Sequence, residues 1–154
     1  MLEKQFKYQQ YLSKYKNCPE NDFIERAMLC FRWTQDFPTD KDFIPINLHP
    51  DFAPRRLDSS DEICKSYGLS MFKDLESARK RYLEIYDKCS KPTAKERFKR
   101  EKGEKVVSLQ IEKEDGVSND PNKCGHFTLY QYIECQLLEK IKNIFDIFVI
   151  DGEY

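Results

Sequence analysis

Between Asp74 and Ile111 the apolar residues change period once, and that change limits the architectures open to the chain. Leu75, Ala78, Tyr82, Ile85, Tyr86 and Cys89 fall at steps of three and four among Lys, Arg and Glu, which predicts an amphipathic helix opened by Asp74. Pro92 is expected to stop it. Val107, Leu109 and Ile111 then alternate with Ser108, Gln110 and Glu112, the pattern of a half-buried strand, and Asp115-Gly116 turns the chain. Helices and strands do not alternate regularly enough for a doubly wound parallel sheet. The expectation is an α+β fold, with a mixed or antiparallel sheet flanked by several helices. A length of 154 residues fits a single small domain over 1–154.

Around this block the signals are softer. Leu2, Phe6, Leu12 and Tyr15 predict an amphipathic helix over 2–16, broken by Asn17-Cys18-Pro19-Glu20-Asn21-Asp22. Phe23 to Trp33 is dense in apolar residues, and its period does not decide helix from strand. Residues 36–61 carry four prolines and no glycine, so they form a proline-rich connector or surface loop rather than a central strand. Phe37, Phe43, Ile46 and Phe52 give that segment apolar side chains with which to pack, and loops of this length are often functional. A short strand is expected at 67–72. From His126 the chain begins as a strand and turns helical through Leu137, Leu138, Ile141, Ile144 and Phe145, with Ile147 to Ile150 as an alternative last strand.

Composition excludes several classes. Twenty-six basic residues against 27 acids leave a formal charge of −1, so no global field recruits nucleic acid. Five glycines form no phosphate-cradling loop. No run of 18 apolar residues exists and the N-terminus has no signal-peptide core, so a cytoplasmic, membrane-free protein is expected. The six cysteines contain no C-x-x-C pair, and their thiols are expected free, with Cys30, Cys89 and Cys135 as small core residues. His49 and His126 stand 77 positions apart without metal-ligand spacing, so no metal is expected.

Three groups of residues could carry chemistry. Residues 91–105 hold seven basic side chains against three acids. A solvated basic loop is the favoured reading there, and an RNA contact the lesser one. Arg55 and Arg56, beside His49, could clamp a phosphate or carboxylate bidentately, against a reading as plain surface arginines. In the string from Gly125 to Glu134, a strand would place His126, Thr128 and Tyr130 on one face, either toward solvent or as a cleft wall.

The order of residues 67–116 supplies a resemblance. Leu69-Ser70 ends a strand, a helix with Ala78 and Tyr82 follows, then a charged stretch, Val106 to Ile111, and the Asp115-Gly116 turn. This layout resembles the ADP-ribosyltransferase superfamily, including its RNA 2′-phosphotransferase and RES-type relatives. The resemblance implies an NAD cleft lined by a basic residue on an early strand, a Ser or Tyr at the strand-to-helix step, and a late polar or acidic residue. Arg32 would take the first role and hold the cofactor's pyrophosphate, Ser70 the second, and His126, Tyr130 or Glu134 the third. The family's acidic Glu-x-Glu or Gln-x-Glu ending is absent. The expectation is therefore an NAD- or nucleotide-binding transferase-like protein. The alternative is a non-catalytic module that binds a protein partner through its 21 aromatics and its N-terminal helix.

Overall fold

The computed structural model describes residues 4–52 and 56–148. Leu2, Arg55 and the segment 149–150 lie outside them. The fold is α+β, built on one six-stranded sheet. Its strands are β1 (Met28–Thr34), β2 (Leu69–Phe72), β3 (Lys105–Ile111), β4 (Gly116–Ser118), β5 (His126–Gln131) and β6 (Ile141–Asp146). They lie in the order β4-β5-β2-β1-β3-β6, and every neighbouring pair is antiparallel. The helices are α1 (Gln9–Leu12), α2 (Ser60–Lys65), α3 (Leu75–Lys88) and α4 (Pro92–Lys102).

Alternation along the strands sorts side chains to two faces. Cys30, Met71, Leu109 and Phe127 point to one face, where Phe43 of the connector and Leu137 close the core. Phe31, Phe72 and Val106 point to the other, against Ala78 and Tyr82 of α3. Trp33 fixes α3 there, its indole N–H donating to the Ala78 carbonyl at 2.8 Å. A third cluster of Leu12, Phe23, Cys64, Val117 and Tyr130 packs the N-terminal segment on the β4–β5 end.

The helix expected at Asp74 forms as read, with the Asp74 carboxylate capping the Ser77 N–H at 2.7 Å. The strand expected at 67–72 forms over Leu69–Phe72, the alternation from Val107 lies within β3, and β5 begins at His126 as expected. Four expectations are corrected. The helix over 2–16 is reduced to α1, because Phe6 instead makes a β-bridge to Tyr132. The basic loop over 91–105 is largely helix α4, in which Pro92 occupies the first turn, where a missing N–H costs nothing, rather than merely ending the preceding helix. Leu137 onward gives a 3-10 turn (Leu137–Lys140) and then β6, since β3 takes a partner on its outer edge. Finally, Cys18 and Cys64 are joined in a disulfide, although their spacing of 46 residues gave no sign of it. Cys30 and Cys135 are buried and unpaired, as expected for core thiols, while Cys89 is half-buried.

The connector after β1 holds two 3-10 turns, Asp40–Phe43 and Ile46–Leu48. Thr39 and Asp42 cap the first reciprocally. Phe43 is buried beneath it, whereas Phe37 is 87% exposed and packs no core.

Candidate site at the β5–β2–β1 seam

The sheet is unevenly knitted. β1 and β3 share seven register pairs, but β1 and β2 share only Phe31↔Phe72. Beside that pair the backbone ladder gives way to a side chain. Arg32 donates from Nη1 to the Ser70 carbonyl at 2.7 Å and from Nε to the Asp42 carbonyl at 2.8 Å. One guanidinium thus ties β1, β2 and the connector together. On the same face, Gln131 of β5 donates to the next connector carbonyl, that of Phe43, at 3.2 Å. Desolvation pulls the Arg32 pKa down to about 10, so the group is still a cation at neutral pH.

Ser70 and Phe72 pair directly with Thr128 and His126, so all four side chains share the face that carries α3. Ser70 is exposed there and Thr128 is buried. Close approach shapes the edge of this patch. A Cβ at Gly68 would sit 2.4 Å from the Thr128 methyl group and 3.2 Å from the Tyr130 ring. Gly125 takes φ +78, and a Cβ there would meet the Ser77 hydroxyl at 2.4 Å, so glycine lets α3 lie close beside His126. The His126 ring meets Phe72 edge-on at 5.5 Å. Burial first, then the positive fields of Arg81, Lys65 and Arg32, hold its pKa below the ordinary 6.5, so the imidazole is neutral at pH 7.

The other expected site residues lie apart. Tyr130 is buried, its hydroxyl 3.3 Å from the Cys64 sulfur, and burial raises its pKa. It serves the N-terminal packing rather than a cleft. Glu134 is exposed in the turn after β5. His49 accepts the Asp51 N–H at 3.1 Å and stacks on Phe52 at 4.4 Å, which commits it to its own turn. Arg56 is exposed in the connector, and Arg55 is outside the described residues. Two partners of the seam escaped the sequence reading, Gln131 and the Asp42 carbonyl. Alternation from Phe127 through Leu129 would have put Gln131 on a core face as a buried amide needing partners, whereas nothing local announces a backbone acceptor.

No family model matches the chain, and neither a curated protein nor a solved structure does.

Proposed function

We propose that the seam of β5, β2 and β1 binds NAD or a similar phosphorylated nucleotide, and that the chain is an ADP-ribosyltransferase-like transferase. One observation carries this reading. Ser70 and His126, far apart in sequence, share the face that carries α3 on the adjacent strands β2 and β5, and Arg32 of β1, on the opposite face, holds the Ser70 carbonyl at 2.7 Å. The exposed Ser70 hydroxyl can donate to a ribose oxygen. In transfer, the bond from nicotinamide to ribose C1′ breaks and a bond from an acceptor oxygen or nitrogen forms. Nicotinamide leaves, and the acceptor's proton passes to a base. Neutral His126 can take that proton. Two nitrogens of Arg32 are already given to carbonyls, so its part is to position Ser70 and the connector rather than to grip phosphate.

The protein-binding alternative loses one of its supports, since the amphipathic N-terminal helix is a single turn, while the aromatics still speak for it. Among the described residues no helix is long and apolar enough to cross a membrane. A cytoplasmic location stays part of the proposal, although the Cys18–Cys64 bond favours an oxidising compartment.

Thermal unfolding with NAD and ADP-ribose, coupled to chromatography of released nicotinamide, tests the reading. Ligand at about a hundredfold excess over Kd stabilises by about 2.7 kcal/mol, a shift of several degrees. That shift should vanish in Ser70→Ala and His126→Ala. No shift at millimolar NAD and ADP-ribose would refute it.

A further inference from the structure

Helices α2 and α3 both pack on the Ser70–His126 face, and each brings a cation to it. On α3, Ser77 lies against Gly125, and Arg81 stands one turn further along the same side of the helix. On α2, Cys64 is fixed against the Tyr130 hydroxyl at 3.3 Å, and Lys65 is the next residue and the last of the helix. Lys73 follows β2 directly. Its N–H donates to the Gly125 carbonyl at 2.9 Å, and its side-chain stem lies against Gly125. Arg81 and Lys65 thus act on the half-buried His126, and Lys73 stands at Gly125, the residue before it.

Two acids of the α3 segment stand beside these cations, Glu84 at Arg81 and Asp74 at Lys73. Asp74 is occupied by the Ser77 N–H as the α3 cap. Glu84 meets Arg81 at 3.6 Å with both side chains about two-fifths exposed (42% and 41%), and such surface pairs are weak. Lys65 makes no ion pair among the described residues. The charges whose fields lower the His126 pKa are positive: Arg81 and Lys65, then Arg32 from the opposite face of the sheet. A surface patch of one sign concentrates counter-ions of the other.

We propose that Arg81, Lys65 and Lys73 form an anion basin that binds two linked phosphates of the ligand seated at Ser70 and His126. The inference rests on the reading of that face as a ligand site and narrows the ligand to a nucleoside diphosphate or dinucleotide. It also assigns the phosphate grip to the helices rather than to Arg32.

Calorimetric titration with inorganic pyrophosphate, ADP and NAD at low salt tests it, using Arg81→Gln, Lys65→Gln and, as a charge-matched control on α4, Arg97→Gln. Pyrophosphate should bind, weaken by about tenfold in Arg81→Gln and Lys65→Gln, and be unchanged in Arg97→Gln, as expected for lost charge-assisted hydrogen bonds. Pyrophosphate should also move the His126 imidazole resonances, while unchanged melting temperatures would show that the variants fold. Equal weakening in all three variants would report overall charge only and overturn the basin. No pyrophosphate binding would overturn it too. Pyrophosphate binding that depends on Arg81 without any NAD binding would keep the basin and remove the NAD reading. NAD binding indifferent to Arg81 and Lys65 would do the reverse.

Discussion

Strand β1 meets its two neighbours in contrasting ways. Toward β3 it is zipped through seven register pairs, and Val106, Val107 and Leu109 are fully buried on that side. Toward β2 a single pair holds, and Arg32 supplies by side chain what the backbone ladder does not. The first junction is a packed core. Beside the second, β2 carries the exposed Ser70, and its ladder with β5 brings His126 to the same face. The difference teaches where a sheet can host a ligand: at a junction held by a few polar contacts, flanked on both sides by rigid ladders.

Breaking the tight junction should cost most. Leu109→Ala removes a fully buried side chain from β3 and should destabilise by about 4 kcal/mol in urea melts. A loss under about 1 kcal/mol would contradict the core as described. The β4–β5 end relies on a covalent staple as well as packing. Cys18→Ser should cost about 3 kcal/mol by freeing the N-terminal segment from α2, and mass spectrometry of the intact protein should find two fewer hydrogens than six free thiols would give.

The seam itself should respond less in stability and more locally. Arg32→Met leaves the Ser70 and Asp42 carbonyls without their donor, at a cost of about 2 kcal/mol. Amide exchange should rise over 40–44 and 69–72 while 105–111 stays protected. Uniform loss of protection would mean that the two junctions are not separable.

The smallest effect concerns pH. His126 binds its proton less readily in the native state than in the unfolded chain. Between its native pKa and 6.5 the unfolded state therefore holds more protons, and stability falls as pH drops through that window. In His126→Gln that part of the acid-side loss should disappear from melts at pH 7 and pH 5. An imidazole titrating above 6.5 by NMR would reverse the sign.

Legibility in the sequence followed how local each determinant is. Helix α3 was readable because its cap, Asp74, and its apolar steps lie within one segment, and β3 because its alternation does. Residues 137–146 deceive because Leu138, Ile141 and Phe145 have helical spacing, yet β6 forms when β3 offers its edge, and Phe145 then pairs with Val106. Phe6 is withdrawn from a helix by Tyr132, 126 positions away. The candidate site was half readable for the same reason. Ser70 and His126 sit on locally legible strands, whereas Arg32's partners and the cations of α2 and α3 depend on strand order, which no local pattern encodes.

The most direct test of the seam as a ligand site is chemical-shift mapping of the labelled protein titrated with NAD. Perturbations should concentrate at 68–73 and 125–130, with β3 and β6 silent. Absence of perturbation at millimolar NAD, or perturbations centred on α4 and Phe37, would contradict it.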